Sequence, residues 1–435
     1  MSSVARIPAA LVAECDVAEG IPAIPSPRAG LQALVLVRVF TEPIGVISHA
    51  LPEHELGSAA LAAAIARALE APLRERFEAC GVPWSGELPL QGVTPQRTPP
   101  FVESRERVRR CGPSLTVAVC THDRPESLER ALRGIFAQSY ERMRTLVVDN
   151  APSDGRTRAL VSSLADSHDV EYAVERRPGL SWARNRAIEL AQGEVVAWLD
   201  DDEVCDPWWA SEIARGFVEV PDADAVTGTV IPSELDTPSQ LFFEQYGSLR
   251  RHRGFERAIF SPATRRRQSP LYPLPPFGIG ANMAFRRSAL ERIGGFDTAL
   301  GAGTVTRTAE DTAAMSALLL SGGTIVYQPT ALVHHSNRRE QDVLRELLLG
   351  HGRGLGAFYT SMLLRRPGCV RELLSLAPQA IRDQFSASGQ RLGRLEDDFP
   401  KELLWANRIG LLQGPFAYAR ARVHARRLRR MPSSP

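Results

Sequence analysis

Lysine is almost absent from this chain of 435 residues: Lys401 is the only one, and arginine supplies the rest of the 52 basic side chains. Because 50 acidic residues reduce the formal net charge to +2, composition does not predict binding to nucleic acid through overall basic charge. Aromatic residues are few, at 7%, and no basic and aromatic platform accompanies the arginines, so nucleic acid is not an expected partner. The stretches 250–268 and 420–430 are locally basic, which indicates either a solvated surface or contact with an anionic membrane.

Paired cysteines and long apolar runs are also missing. The six cysteines show no C-x-x-C spacing, which argues against a disulfide framework or a zinc site and is typical of a reducing cytoplasm. The first residues lack the charged start and apolar core of a signal peptide, and no run approaches the roughly 20 apolar residues that cross a bilayer. We therefore expect a cytoplasmic protein, either soluble or peripheral at the inner face of the membrane.

Three compositional parts divide the chain. Residues 1–110 contain two apolar runs around the turn signal Glu42-Pro43, an alanine-rich helical stretch over 58–79 and a linker rich in proline and arginine, which predicts an accessory α+β module. Residues 111–340 predict an α/β domain. Residues 341–435 are helical in pattern and basic, which predicts an extension that packs on the core or contacts a membrane surface.

The α/β prediction depends on alternating strand and helix patterns. Short β-rich runs lie at 115–120, 144–149, 170–174 and 195–199, with helical stripes between them, so the strands should form a mainly parallel sheet. Ligands bind such sheets beyond the carboxyl ends of the strands. The polar segments that follow the strands should therefore meet at one edge: Thr121 to Arg124, Asp149-Asn150 and Asp200 to Asp202.

Three adjacent aspartates end the last of these strands. Asp200, Asp201 and Asp202 have no basic neighbour in sequence, and crowded carboxylates need a positive partner. Mg²⁺ or Mn²⁺ binds carboxylate oxygens and shares them with substrate phosphates, so a divalent cation would answer the need. Strand alternation lets Asp200 and Asp202 face one side. The alternative is an acidic helix cap before Pro207, a role that suits Asp206 better.

At this point several ordered segments resemble a known family. The segments are "TVAVCTHDRPESLERALRGIFAQ", "TLVVDNAPSDG", "GLSWARNRAIELAQGEVVAWLDDDEV", "GANMAFRRSALERIGGFD" and "AEDTAAMSALLLSGG". Together they are similar to the family 2 glycosyltransferases, over about 112 to 340. The resemblance implies the GT-A fold, a Rossmann-like sheet flanked by helices, and an inverting transferase that uses a nucleotide sugar.

The resemblance also implies which residues contact the nucleotide sugar. The loop Thr121 to Arg124 would lie along the nucleotide, with Asp123 near the base or ribose, and Asp149 would accept a hydrogen bond from either. Arg177 or Arg184 would approach the diphosphate as a planar donor, although Arg184 could instead pair with a carboxylate. The complete nucleotide-sugar set is Thr121, Asp123, Arg124, Asp149, Arg177, Arg184, Asn185, Asp200 and Asp201, with Asn185 holding its own loop.

In the same family a DXD element binds the cation that bridges the donor diphosphate. Asp200 and Asp202 match this element, and Asp202 is the expected direct ligand of Mg²⁺ or Mn²⁺. A histidine following "TIVYQPTALV" often completes the shell, and we favour His335 over His334.

The family pattern puts the catalytic base at the acidic pair Glu310-Asp311. We choose Asp311 as the base and Glu310 as the residue that orients it or touches the acceptor; the alternative is that both are helix caps. One base opposite the leaving group fits a single displacement with inversion. The segment 278–283 should form the floor of the site, and Trp208 and Trp209 could stack on a sugar or pack in the core.

Donor and acceptor identities stay open at this stage. A uridine diphosphate sugar is the first expectation for the donor, with guanosine or thymidine forms as alternatives. The acceptor is a hydroxyl of a glycan, a lipid-linked sugar, a peptide or a metabolite. A non-catalytic nucleotide-sugar scaffold is the main competing function. A sugar nucleotidyltransferase is less favoured, because the first loop has no glycine-rich cradle with a lysine.

Overall fold

The computed structural model describes residues 10–27, 30–247, 254–265, 269–272, 277–385, 395 and 399–430. Of the basic stretch 250–268, residues 250–253 and 266–268 lie outside the described residues.

The N-terminal part forms its own small sheet and core. Strand β1 (Ala10–Asp16) runs parallel to β3 (Gln32–Val39), which pairs antiparallel with β4 (Glu42–Ala50). Strands β2 (Ile24–Pro25) and β5 (Glu55–Leu56) form a separate pair. Helices α1 (Ser58–Ala68) and α2 (Glu70–Ala79) cover the sheet with apolar side chains, as an α+β module requires.

The turn between β3 and β4 lies two residues before the predicted signal. Phe40 and Thr41 have positive φ values of 51° and 74°, whereas Glu42 and Pro43 are already in β4. The Asp16 carboxylate accepts hydrogen bonds from the Phe40 and Thr41 amides at 3.1 and 2.6 Å. These bonds stabilise a left-handed turn without glycine, which the sequence pattern did not indicate.

The expected linker is partly helical and joins the two units. Helix α3 (Pro100–Cys111) packs on the α/β unit, where buried Arg105 donates to Glu212 at 2.9 Å. Arg38 of β3 pairs with buried Asp206, and Ala10 of β1 donates its amide to the carbonyl of Leu235. The N-terminal module is therefore attached through charged pairs as well as apolar contacts.

The central α/β unit contains the predicted strand and helix alternation. Its strands are β6 (Leu115–Thr121), β7 (Met143–Asn150), β8 (Val170–Glu175), β9 (Val195–Asp200), β10 (Glu203–Cys205), β11 (Ala225–Pro232), β12 (Ala258–Phe260), β13 (Asn282–Arg286) and β14 (Ile325–His335). Its helices are α4 (Pro125–Phe136), α5 (Arg156–Leu164), α6 (Leu180–Leu190), α7 (Trp209–Glu219), α8 (Pro238–Gly247), α9 (Pro262–Arg265), α10 (Arg287–Ile293) and α11 (Glu310–Leu320).

Within the described residues these strands form one sheet of nine, in the order β10-β14-β11-β13-β9-β6-β7-β8, with β12 also paired to β14. Strands β8, β7, β6 and β9 are mutually parallel, and β13 runs antiparallel between β9 and β11. Apolar clusters fill the space between each face and its helices. This mainly parallel sheet with flanking helices confirms the predicted GT-A architecture.

The C-terminal part is helical, as predicted, and packs on the α/β unit. It consists of α12 (Gln341–Arg365), a 3-10 turn (Pro367–Cys369), α13 (Val370–Phe385) and α14 (Lys401–Leu428). Glycines let α12 and α14 approach closely: a Cβ on Gly352 would lie 1.9 Å from the carbonyl oxygen of Asn407. No helix in the described part of the chain combines the length and apolarity needed to cross a membrane.

Candidate active site

A cavity of about 810 Å³ opens at the carboxyl ends of β6, β7 and β9, where the sequence predicted a site. We call it the acidic cavity, because seven carboxylates and four arginines are among its described lining residues. The carboxylates are Asp200, Asp201, Asp202, Glu203, Glu244, Glu310 and Asp311. The arginines are Arg124, Arg184, Arg307 and Arg338.

The aspartate triplet is paired with arginines that are distant in sequence. Strand β9 ends at Asp200, and the chain turns so that buried Asp201 accepts from the Thr121 hydroxyl at 2.7 Å and from Arg124 at 3.2 Å. Asp202 accepts from Arg124 at 3.3 Å and from Arg338 at 3.1 Å. No basic residue is adjacent to the aspartates in sequence, but folding brings Arg124 and Arg338 to them.

Arg184 connects the two acidic segments of the site. Its guanidinium, 1% exposed, donates to Glu310 at 2.8 Å, to Asp200 at 3.3 Å and to the carbonyl of Gly280 at 3.1 Å. These contacts match the alternative prediction, in which Arg184 pairs with a carboxylate. Direct binding of a diphosphate by Arg184 stays a prediction.

Burial leaves the carboxylates around Arg184 less acidic than usual. It raises the pKa of Glu310 to about 7 and that of Asp200 to about 6, in each case against the opposing effect of Arg184. Burial also raises the pKa of Asp201, while the Thr121 and Arg124 contacts lower it. Carboxylates exceed arginines here, so an added cation would be stabilised.

Asp202 and His335 are the two predicted metal ligands that lie side by side in the cavity. Asp202 Oδ1 lies 3.7 Å from His335 Nε2, and His335 Nδ1 lies 2.8 Å from Asn337 Oδ1. Because the Asn337 amide nitrogen donates to Glu244, its oxygen faces His335, so Nδ1 carries the proton and Nε2 is free to coordinate.

Asp202 and His335 could supply only part of the ligands of a metal ion. The described residues contain no group of three or more His, Cys, Asp or Glu side chains that could hold a metal by themselves. A cation that takes only one or two protein ligands and shares substrate phosphates, as Mg²⁺ does, fits Asp202 and His335. His334 faces the opposite side of β14, with Nε2 3.3 Å from Glu14, which favours His335 as predicted.

Asp311 is held rigidly at the start of α11. Its Oδ2 accepts from the Gly280 amide at 2.6 Å and its Oδ1 from the Thr312 amide at 2.7 Å. A Cβ on Gly280 would lie 2.8 Å from Asp311 Cβ, so glycine is needed for this approach. The carboxylate lines the acidic cavity beside Ile279, Gly280 and Ala281, which agrees with the predicted floor.

Four predicted nucleotide-sugar residues are not among those that line the cavity: Asp123, Asp149, Arg177 and Asn185. Asp123, with a φ of 53°, accepts from the Ser153 amide at 3.0 Å and shapes the loop that carries His122 and Arg124. The hydrogen bond lowers the pKa of Asp123. Its direct contact with a nucleotide stays a prediction.

The other three support the walls of the site. Asp149 is fully buried, accepts from the Tyr172 hydroxyl at 2.8 Å, and has an Oδ1 without a hydrogen-bond partner in the described part of the chain. Burial raises the pKa of Asp149. Arg177 pairs with Glu175 through two nitrogens and stacks on Trp182. Asn185 exchanges hydrogen bonds with Phe296 rather than holding its own loop.

The two tryptophans after Asp206 do not line the acidic cavity. Trp209 is fully buried and donates its indole N–H to Asn282 at 2.9 Å, and Arg105 lies over the Trp208 ring at 4.5 Å. Their role is packing, the second of the two alternatives. Asp206 precedes α7 as predicted, and it accepts from the Trp208 amide at 3.1 Å.

Four charged residues that line the cavity were missed by the sequence analysis: Glu203, Glu244, Arg307 and Arg338. Glu203 is 1% exposed, accepts from the Asp200 amide at 3.2 Å, and burial raises its pKa well above the usual range. Arg338 binds Asp202. Glu203 and Arg338 were signalled weakly, since Glu203 directly follows the aspartates and Arg338 lies three residues after His335.

Residues 116–294 match the family model described as Glycosyl transferase family 2. The chain is 28% identical over 193 residues to the glucosyl-dolichyl phosphate glucuronosyltransferase of Haloferax volcanii, covering 43% of this chain and 57% of that protein.

Two further similarities are to proteins of Rhizobium meliloti. The succinoglycan biosynthesis protein ExoM is 27% identical over 289 residues, which are 63% of this chain and 83% of ExoM. ExoO is 30% identical over 254 residues, which are 55% of this chain and 65% of ExoO. Among solved structures, the mannosyltransferase PcManGT from Pyrobaculum calidifontis, in complex with GDP-Man and Mn²⁺, aligns with 85% of this chain and 88% of its own at 19% identity and a TM-score of 0.44.

Proposed function

We propose, from the match of residues 116–294 to the model of glycosyl transferase family 2, that this protein transfers a sugar from a nucleoside-diphosphate sugar to an acceptor hydroxyl with inversion and with the help of a divalent cation. The observation that carries the proposal is the meeting of Asp202, His335 and Asp311 in one cavity at the carboxyl ends of the parallel strands. A UDP-sugar is the first donor to test, and GDP- and dTDP-sugars are the alternatives.

The donor side would be formed by the first-strand loop and the aspartate triplet. Asp202 and His335 would hold Mg²⁺ or Mn²⁺, which when bound offsets the charge that develops on the leaving nucleoside diphosphate. Arg124 and Arg338 already contact Asp202 and are exposed enough to donate to phosphate oxygens. A hydrogen bond from the base or ribose to Asp149 stays a prediction, because this carboxylate is buried and is not part of the cavity lining.

The acceptor side would be formed by Asp311 and Glu310. Asp311 would accept the proton of the attacking hydroxyl, and its two backbone hydrogen bonds keep the carboxylate in a fixed orientation. Glu310, held by Arg184, would orient this segment. One base on the acceptor side is sufficient for a single displacement with inversion at the anomeric carbon.

The main competing function is a non-catalytic nucleotide-sugar scaffold, which would bind donor but would not need a rigidly held Asp311. A sugar nucleotidyltransferase is less favoured, because the loop from Thr121 to Arg124 contains no glycine and no lysine. Nucleic acid is not proposed as a partner.

Calorimetric titration of the full chain with UDP, GDP and dTDP, each with and without Mn²⁺, tests the proposal. We expect one nucleotide to bind and to require the metal. Asp202→Ala should abolish this binding, whereas Asp166→Ala, which removes an exposed carboxylate outside the cavity, should leave it unchanged. Metal-independent binding, or normal binding by Asp202→Ala, would show that the cation site is misplaced, and no binding of any nucleotide would reject the donor site.

A further inference from the structure

A second cavity, of about 930 Å³, lies between the C-terminal helices and the loop that precedes α11. We call it the arginine cavity, because four arginines line it and no Asp or Glu is among its described lining residues. The four are Arg307, Arg353, Arg420 and Arg427. In a chain with nearly balanced charge, an arginine cluster without a carboxylate is a candidate site for an anion.

The positive charge of this cavity is not neutralised from elsewhere in the described part of the chain. Arg307, Arg420 and Arg427 form no ion pair there, and Arg353 donates to the neutral side chain of Gln413 at 2.7 Å. Trp182 also lines the cavity, and its buried indole N–H has no hydrogen-bond partner among the described residues. These groups are donors only, which is the chemistry that recognises phosphate oxygens.

The arginine cavity adjoins the acidic cavity. Pro178, Gly303 and Arg307 line both. Gly303 and Arg307 have positive φ values of 78° and 72°, so the loop between the cavities is folded tightly, and it leads directly to Asp311. A ligand bound by the arginines could therefore extend a hydroxyl towards the proposed base.

An exposed apolar stripe runs along α14 towards the arginines. It comprises Trp405, Ile409, Leu412, Phe416 and Val423, which are 56%, 46%, 75%, 77% and 51% exposed. Spacings of three, four and seven residues place them on one face, on which Arg420 and Arg427 also lie. The stripe is about 27 Å long by helical rise. Val423 belongs both to the stripe and to the arginine cavity.

We propose that the arginine cavity binds the phosphate or diphosphate of an acceptor carried on a lipid, and that the lipid chain lies along the stripe of α14. The assignment of the ligand as acceptor rests on the proposed transferase function. The arrangement complements an anionic amphiphile at both ends: arginines for the phosphate and exposed apolar side chains for the chain. A soluble sugar phosphate would use the arginines but would leave the stripe without a role.

Binding of farnesyl diphosphate to the full chain tests this inference, with farnesol and inorganic pyrophosphate as probes that each lack one half of the ligand. The acidic cavity is first filled with Mn²⁺ and whichever nucleotide binds in the titration above. We expect farnesyl diphosphate to bind at least about tenfold more tightly than either probe. The double variant Arg420→Gln/Arg427→Gln should lose roughly 100-fold in farnesyl diphosphate affinity.

The matched control is Arg422→Gln/Arg426→Gln, which removes the same charge from α14 at positions outside the cavity lining and should keep wild-type affinity. Phe416→Ser should weaken farnesyl diphosphate but not pyrophosphate. Equal affinity for pyrophosphate and farnesyl diphosphate, no binding, or equal losses in the two double variants would overturn the proposal. If the wild-type chain binds farnesyl diphosphate but no nucleotide, the transferase function is rejected instead, because the two sites are measured separately.

Discussion

The acidic and arginine cavities share a wall but handle charge in opposite ways. In the acidic cavity seven carboxylates exceed four arginines, and Asp201, Asp202 and Glu310 are each paired with a guanidinium. In the arginine cavity four arginines line the surface and no carboxylate does. Arg307 is common to both linings.

The difference indicates two kinds of ligand. An excess of carboxylates is stabilised by a cation, and a metal diphosphate brings its own cation and phosphates to the same place. An excess of arginines is stabilised by an anion without metal. The shared loop before α11 is where the two ligands would meet, next to Asp311. Four predictions test this contrast.

The largest expected effect is on turnover by Asp311→Asn. The amide keeps an oxygen that can accept from Gly280, so donor binding should be preserved, while removal of the base should lower kcat by about 10² to 10⁴. Calorimetry and a sugar-transfer assay measure the two properties separately. Asp166→Ala serves as the control, and full turnover by Asp311→Asn would mean that another group takes the proton.

The second prediction compares how much the free energy of unfolding falls when each cavity loses one arginine. Arg184→Met leaves buried Glu310 and half-buried Asp200 without their cation, and we expect the free energy of unfolding to fall by about 3 kcal/mol. Arg427→Met in the arginine cavity removes no ion pair and should change it by less than about 0.5 kcal/mol. Urea unfolding of both variants measures the contrast. Equal losses would show that the charge environments of the two cavities do not differ energetically.

The two adjacent histidines give a finer test of the cation site. His335→Gln should weaken Mn²⁺-dependent nucleotide binding by roughly tenfold or more, because Nε2 faces Asp202. His334→Gln should leave it unchanged, because His334 faces Glu14 of the N-terminal module. The measurement is the nucleotide titration at several Mn²⁺ concentrations. A reversed order of effects would exchange the two assignments.

The fourth prediction is a pH dependence of stability that arises from Glu310. Burial raises its pKa from 4.5 to about 7, so the folded protein retains a proton that the unfolded chain has already lost. The resulting contribution to stability is complete below about pH 4.5 and is lost as the pH rises through about 7.

Relative to Glu310→Gln, the wild type should therefore lose stability between about pH 5 and about pH 8, by roughly 2–3 kcal/mol. Urea unfolding across this range measures the difference. Titration of Asp200 and Glu203 contributes to the pH dependence of stability in both proteins. Parallel profiles would contradict the raised pKa.

Much of the central sheet could be predicted because its signals are local. The runs at 115–120, 144–149, 170–174 and 195–199 became β6, β7, β8 and β9 within one or two residues, since each is a short apolar run bounded by polar segments. The turn at Phe40 and Thr41 could not be found in this way, because the bonds that stabilise it come from Asp16, 24 and 25 residues away.

The sequence by itself determined which residue types meet at the edge of the sheet: the alternation of strands and helices places Thr121 and the aspartate triplet there, and the family resemblance adds the acidic pair that begins α11. It could not determine how their charges are balanced. Arg184, Arg124 and Arg338 reach the carboxylates from separate helices and loops, and α14 brings Arg420 and Arg427 to the loop that holds Arg307. Those pairings depend on distances across the folded molecule. The strength of an electrostatic interaction is set by the distance between two charges in space, whatever their separation in sequence.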